Sequence, residues 1–440
     1  MKKIGINKLE MRKLKTIVLT FYVYLIVFIP VAAQNEKNKT EIPSSTRLLV
    51  YDQPASIWTE AMPIGNGRIG GMVYGRTHEE IIKLNENTLY AGGPYNSNGP
   101  GGYPYLDSIR SLVFEGRGKE AEKLFEKTMM ARKWSSAPYQ PLGNLRIILP
   151  GHSFASGYRR ELLLDSALAR VSYTVDGVEF TRTSFCSYPD QVMVVRIEAS
   201  EPNSISSYFS MEGITNPLGT GDEEWGLSYE GDNTILLSGM TRSFEVSDQR
   251  TKYECRIMVI PEGGEMEMIF KSNIPTIRLM NANSATLYLT AASSFVSYND
   301  VSADPVTRND KVLANLDKKD YYSVLESHIS DFSSLFNRVS LDLSGEDTQD
   351  ITTDRRFKLF TDGKDKDFAG LFFQYGRYLM ISSSRPGGIP ANLQGLWNQD
   401  MNPPWNGGFT TNINFEMYYW PSDLTNLSEC REPQLSLIED

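Results

Sequence analysis

Val171-Ser172-Tyr173-Thr174-Val175-Asp176-Gly177-Val178-Glu179-Phe180-Thr181 sets two runs of alternating apolar and polar residues on either side of an Asp-Gly pair. Alternation is the period of a strand, and Asp-Gly tolerates the left-handed dihedrals of a two-residue hairpin turn. The stretch therefore predicts an antiparallel pair with one face buried. To its C-terminal side, Cys255–Ile260 and Met266–Phe270, joined by Pro261-Glu262-Gly263-Gly264, read as a second hairpin. Short strands are also expected at Val192–Ile197, Thr234–Leu237 and Thr286–Thr290. Many short strands punctuated by turns predict an antiparallel β sandwich, not a parallel sheet, from Leu48 to about Ala292.

Helical spacing appears in two other places. Leu106, Ile109 and Val113, then Ala121, Leu124 and Phe125 after the Gly116/Gly118 break, predict a helical insertion packed on the sandwich's flank. From Val312 the pattern turns helical, and Val324, Leu325, His328, Ile329, Phe332, Leu335 and Phe336 form one apolar stripe. His328 on that stripe reads as a packed histidine rather than a ligand. Ser344 to Asp354 is polar enough to be a linker. Beyond it Phe368, Phe372, Tyr375 and Leu379 recur at i, i+4, i+7 and i+11 and predict a new amphipathic helix.

The expected organisation is multidomain β plus α. Residues 47–300 form the sandwich, 301–365 a helical linker region, and 366–440 the opening of a helical domain that could not complete its core before Asp440. Residues 34 to about 345 are expected to fold as a separate unit.

Six basic residues from Lys2 to Lys15, an apolar run from Ile17 to Pro30 and the small residues Val31-Ala32-Ala33 predict an export signal over residues 1–33. The run is short for a membrane span, so cleavage after Ala33 is expected, with a polar leader over 34–46 and no membrane association afterwards. Removing six basic residues and one acidic residue moves the formal charge from −10 to −15. A chain this acidic would repel nucleic acid. Cys186, Cys255 and Cys430 are too scattered for a disulfide framework and read as buried thiols, and His78, His152 and His328 show no metal-ligand spacing. No metal or cofactor is expected.

Gly65-Asn66-Gly67-Arg68-Ile69-Gly70 matches the G-x-G-x-x-G pattern of dinucleotide-binding loops. The next residues, Gly71-Met72-Val73-Tyr74, are strand-like rather than helical, so the glycines read as a tight turn between strands. The chemically dense segment is Ser382 to Trp420. It holds Pro390-Ala391-Asn392-Leu393-Gln394-Gly395-Leu396-Trp397-Asn398, Pro403-Pro404-Trp405-Asn406-Gly407-Gly408 and Thr411-Asn412-Ile413-Asn414-Phe415-Glu416-Met417-Tyr418-Tyr419-Trp420. Aromatic rings stack on pyranose faces and carboxamides pair with hydroxyls, so a sugar site fits. An irregular loop with aromatic packing fits equally, and composition leaves both open.

At this point the sequence resembles glycoside hydrolase family 95. The resemblance is carried by Trp58 through Gly70, Leu84-Asn85-Glu86-Asn87-Thr88-Leu89-Tyr90, Tyr158-Arg159-Arg160-Glu161-Leu162 with the Asp176-Gly177 turn, and Phe373-Gln374-Tyr375-Gly376-Arg377-Tyr378 through Trp420. These motifs occur in order over about residues 47 to 430. The resemblance implies an N-terminal sandwich, a helical linker and the first helices of a truncated (α/α)6 catalytic barrel.

It further implies an exported, periplasmic or secreted, inverting glycosidase that removes terminal α-L-fucose from oligosaccharides. α-L-Galactosidase activity or a non-catalytic glycan-binding fragment are the alternatives. Asn412 and Asn414 match the family's Asn-x-Asn pair, which serves the hydrolytic water together with a distant aspartate. A carboxamide alone is too weak a base to deprotonate water. Asn392, Gln394, Trp397 and Trp405 are the expected substrate-binding residues. The family's general acid is a glutamate that would fall past Asp440. Asp400, Glu416, Asp423 and Glu429 do not match it and read as helix-face or loop charges, so the 440 residues alone are expected to be inactive. One departure is Tyr418, which stands where the family's Met-Asn-Tyr-Trp run has Asn.

Overall fold

The computed structural model describes residues 47–94, 101–130, 136–215, 224–244, 247, 249–343 and 351–439. The expected signal (1–33), the leader (34–46) and most of the 344–354 linker lie outside them.

Two antiparallel sheets make up the first part of the chain. The nine-stranded sheet runs, edge to edge, through β1 (Leu48–Tyr51), β6 (Ser156–Leu163), β7 (Leu168–Val175), β8 (Val178–Ser187), β9 (Val192–Ala199), β16 (Ser284–Ser293), β13 (Lys252–Glu262), β12 (Thr234–Met240) and β11 (Glu224–Glu230). The seven-stranded sheet runs through β14 (Glu265–Lys271), β15 (Ile274–Ala282), β10 (Ile205–Glu212), β5 (Gly143–Ile148), β4 (Glu79–Glu86), β3 (Ile69–Val73) and β2 (Met62–Gly65). The antiparallel sandwich expected from the turn-punctuated strands is thus present.

Strands β7 and β8 pair from Ala169↔Ser184 to Val175↔Val178. Asp176 (φ 49°) and Gly177 (φ 84°) both sit in the left-handed region, as a two-residue turn matched to strand twist requires. The second expected hairpin does not form. β13 pairs with β12 and β16, whereas β14 pairs with β15 in the opposite sheet. Gly263 and Gly264, both at positive φ, let the chain cross between sheets within two residues, and a Cβ at Gly264 would lie 2.4 Å from the Met280 carbonyl oxygen. Alternation tells which residues face inward; it does not tell which strand is the partner.

All ten residues of β16 are buried, because both its faces are covered. Ala285, Leu287, Leu289 and Ala291 point into the core between the sheets. On the other face Tyr288 packs, with Phe185 and Val194, against Leu316, Tyr321, Val324 and Leu325. Those partners come from the two helices that come after β16 in the chain, Pro305–Leu316 and Tyr321–Phe336. Asp304 caps the first through the amides of Val306 and Thr307, and Asp320 caps the second through the amide of Ser323. The apolar stripe of the second helix is buried as expected. His328 stacks on Phe185 with ring centroids 4.6 Å apart, and burial pushes its pKa down to about 4.

In chain order the helices are α1 (Leu106–Phe114), α2 (Gly118–Thr128), α3 (Pro305–Leu316), α4 (Tyr321–Phe336), α5 (Thr353–Thr361), α6 (Phe368–Ser383), α7 (Ile413–Tyr419), α8 (Pro421–Leu424) and α9 (Glu432–Glu439). The insertion α1–α2 packs chiefly on itself and not on the sandwich's flank as expected. Of its residues only Ala121 and Thr128 are buried, and Val113, Phe114 and Phe125 stay exposed.

Helix α6 forms as its apolar spacing predicts, with Phe368, Tyr375 and Leu379 packed against the core, but its buried face is wider than that stripe and leaves Phe372 out. Leu371, Gln374, Tyr378 and Ile381 are buried, while Phe372 is exposed. The buried stripe includes polar groups because they have partners. Gln374 Nε2 donates to the Val339 carbonyl at 2.8 Å, and the Arg377 guanidinium donates to the carbonyls of Leu335 (3.0 Å), Phe336 (2.5 Å) and Thr425 (3.2 Å). Leu371, Tyr378 and Ile381 join the same core as Ile64 and Met193, so one apolar interior spans the sandwich and α6. The three cysteines are buried and unpaired; burial pushes the Cys430 thiol up to about 12.

Candidate active site

The glycine-rich turn at 65–70 is a hairpin, with Gly65 opposite Gly70. Asn66 closes it by accepting the amides of Arg68 (3.0 Å) and Ile69 (2.8 Å) on Oδ1. Its lack of side chains has a second use. A Cβ on Gly65 would sit 2.5 Å from the Ser382 carbonyl oxygen, and one on Gly70 would sit 2.8 Å from Leu396. The C-terminal end of α6 and the loop after it therefore lie directly against this hairpin. Gly67 N donates to Ser382 O at 2.8 Å, Tyr378 Oη to Pro63 O at 2.6 Å and Trp397 Nε1 to Ile64 O at 2.9 Å.

The end of β4 fastens the rest of that loop. The Asn85 carboxamide both donates to the Asn398 carbonyl and accepts the Asn398 amide, at 3.0 Å each. Asn398 Nδ2 also donates to Tyr139 O (2.9 Å), and Tyr139 Oη donates to Leu396 O (2.8 Å). Lys83 Nζ reaches Gln399 Oε1 at 2.9 Å; burial lowers its pKa, opposed by the nearby charge of Asp400. Asn392 Nδ2 donates to Tyr90 Oη at 2.9 Å, while its Oδ1 accepts the Gln394 amide at 2.8 Å. These stitches were not predicted as site features, although Leu84–Tyr90 stood out as a motif.

The predicted substrate-binding residues divide accordingly. Trp397 is 6% exposed with its N–H committed to Ile64, so it packs on the sandwich and offers no free ring face. Asn392 is buried in its turn. Gln394 Oε1 is buried without a hydrogen-bond partner among the described residues. Trp405 is 83% exposed. It sits in the left-handed region (φ 49°, ψ 30°), followed by Asn406 at φ 58°, a pair of strained positions that turns the indole outward. Tyr139 N → Asn406 O (2.8 Å) and Asn406 Nδ2 → Ser136 O (2.9 Å) pin the base of that turn to the sandwich.

Asn412 and Asn414 lie at the start of α7, both exposed. Asn412 occupies the N-cap position without a side-chain cap; its carbonyl accepts Glu416 N at 3.2 Å. The stretch is helical from Ile413, so Asn414 stands in the first turn and Asn412 just outside it, at φ −86° and ψ −131°. Tyr418 turns its hydroxyl inward onto Ser383 Oγ, and Tyr419 Oη bonds Ser384 Oγ (2.8 Å) and accepts Ala391 N (2.9 Å). Burial raises both phenols, Tyr419 to about 12, so they stay protonated. Asp423 pairs with Arg431 at 2.6 Å and Glu429 with Arg338 at 2.8 Å, which fits their reading as surface charges.

The arrangement holds two polar, non-basic side chains and an exposed indole on a rigid mount. It can orient a water and stack a sugar ring, but the carboxamides cannot take the water's proton themselves.

Residues 49–298 match the glycosyl hydrolase family 65 N-terminal domain, and residues 320–440 match the glycosyl hydrolase family 95 catalytic domain. Over 422 residues the chain is 35% identical to alpha-L-fucosidase 2 of Arabidopsis thaliana, covering 88% of this chain and 48% of the relative. It is 32% identical over 426 residues to a protein of Aspergillus niger named "Probable alpha-fucosidase A", covering 89% of this chain and 50% of that one. The chain thus spans about half the length of the curated relatives it matches.

Proposed function

The chain belongs to the glycosyl hydrolases, with a family 65-type N-terminal domain leading into a family 95 catalytic domain, and we propose that it is the sandwich-bearing part of an exported, inverting α-L-fucosidase. The observation that carries this reading is the exposed pair Asn412 and Asn414 at the head of α7, on a segment bonded to the sandwich through Trp397, Asn398 and Ser382. The fucosidase names of its relatives supply the substrate class.

Asn414, with Asn412 beside it, holds the attacking water. A carboxylate supplied from beyond residue 440 takes its proton, and a second acid there protonates the glycosidic oxygen. Inversion requires those two groups to stand on opposite faces of the sugar with room for the water between them, ~6.5–9.5 Å apart. The Arg338 and Arg431 pairings leave Glu429 and Asp423 unsuited to either task. Trp405 serves the sugar next to the fucose, as a stacking plate. The Tyr418 hydroxyl is committed to Ser383 on α6, so the phenol is held by the protein and is not free to bind the sugar. Residues 1–33 direct export and are removed after Ala33.

The test is expression of the reading frame continued past codon 440, assayed on 2′-fucosyllactose with the anomer followed by NMR. Initial release of β-L-fucose is expected, with a mature N-terminus at Gln34. A frame that stops at codon 440, or a longer product that releases no fucose, overturns the proposal and favours a glycan-binding role for Trp405.

A further inference from the structure

A cavity of ≈ 850 Å³ opens beside the candidate active site, between the end of β4, the loop after β16, α3 and the loops at 387–390 and 408–409. None of Asn392, Gln394, Trp397, Trp405, Asn412 or Asn414 lines it. Its size falls within the ~300–1,000 Å³ usual for small-molecule sites.

One wall is polar. Glu86, 2% exposed, accepts Thr88 N (2.9 Å) and Thr88 Oγ1 (2.5 Å) on Oε2, while Oε1 looks across 3.7 Å to Arg68 Nη1, too far for a hydrogen bond. Arg68 is held in place by Gln191 Oε1 (2.7 Å) and the Ala291 carbonyl. A carboxylate oxygen and a guanidinium fixed side by side can accept from and donate to one hydroxyl group. Aromatic side chains line the cavity as well. Tyr90 and Phe409 pack with centroids 5.7 Å apart, and Tyr298 stands 64% exposed at the rim. The charges that line the cavity, Arg68 and Arg308 against Glu86 and Glu432, balance. This disfavours a phosphate or carboxylate and suits a neutral ring with polar edges and an apolar face.

We propose that this cavity is a second, non-catalytic site for a neutral glycan unit, held by the Arg68–Glu86 pair and the rings of Tyr90, Phe409 and Tyr298. Its position gives it a link to the reaction loop. Tyr90 carries Asn392 on its hydroxyl, and Phe409 stands three residues before Asn412. The proposal rests on the fucosidase reading only for its choice of probes.

The 440-residue chain is titrated by calorimetry with lactose and with 2′-fucosyllactose, alongside Tyr298→Ala and the cavity-filling Val301→Trp, each checked for an unchanged melting temperature. Binding of lactose is expected, weakened by about tenfold in Tyr298→Ala, the scale of one lost stacking contact. It should be lost in Val301→Trp. Absence of binding to the intact chain overturns the proposal. So does binding that survives both cavity variants unweakened, which would place the glycan elsewhere on the chain. If Val301→Trp does not fold, the exposed Tyr298→Ala decides alone. Failure here leaves the fucosidase reading standing, because fucose release by the longer product depends on Asn414 and not on this cavity.

Discussion

The indole nitrogen of Trp397 donates to the carbonyl oxygen of Ile64 at 2.9 Å, joining the loop after α6 to strand β2 across 333 positions of sequence. The same loop is held by Asn398 on Asn85 and by Ser382 on Gly67. The sandwich is thus the mould on which the candidate active-site segment takes its shape.

Trp397→Phe keeps most of the packing on Ala61, Met72 and Leu396 and removes one hydrogen bond, so it should cost about 1 kcal/mol. Trp397→Ala removes the ring as well and should cost about 3–5 kcal/mol. Urea unfolding of the two variants tests this. Equal losses would mean that the bond to Ile64 and not the ring carries the stability.

Several parts of this architecture were legible in the residues and others were not, for identifiable reasons. The Asp176-Gly177 turn and the stripe from Val324 to Phe336 encode their structure locally, through dihedral preference and burial. The partner of β14 is not local information, because two glycines can end a hairpin or change sheets equally well. The spacing of α6 finds Phe368, Tyr375 and Leu379 but misses the polar part of the buried face, because Gln374 and Arg377 are buried on carbonyls supplied by residues 335–339 and 425, which no pattern within the helix reveals. Within the site, Trp397 and Trp405 look alike as sequence, yet one is a core residue and the other an exposed plate. Only Ile64 and the left-handed turn at 405–406 distinguish them.

His328 makes stability depend on pH. Burial lowers its pKa from 6.5 to about 4, so the unfolded chain takes up a proton at this residue before the folded one does. Its contribution is complete above pH 6.5 and is lost as pH falls towards 4, on the order of 3 kcal/mol in all. Denaturation midpoints between pH 7.5 and 4.5 should fall in the native protein and fall less in His328→Phe. The same slope in both would remove His328 as the cause.

The separate folding of residues 34 to about 345 expected from the sequence meets a core that continues into α6. Arg47 Nη1 also donates to both carboxylate oxygens of Asp367, at 3.0 and 2.8 Å. A protease site inserted between residues 343 and 351 and then cut should therefore yield two pieces that co-elute by gel filtration under native conditions. Elution of a folded N-terminal piece by itself would show that the sandwich stands without α6.

The catalytic assignment rests on Asn414. In the product continued past residue 440, Asn414→Asp or Asn414→Gly should lower kcat by about 10²-fold or more, the usual scale for general-base assistance. KM should change much less, because the lost contact acts on the water in the transition state. Asn412 should behave in the same direction. The competing role for Asn412 is a helix cap, whose loss would cost about 1 kcal/mol. Its side chain makes no such bond at the head of α7, so Asn412→Ala should leave the melting temperature where it is. Melting temperature and kcat measured on the same preparations separate the two roles. A lowered melting temperature with undiminished kcat would make the pair structural and remove the water-positioning step from the mechanism.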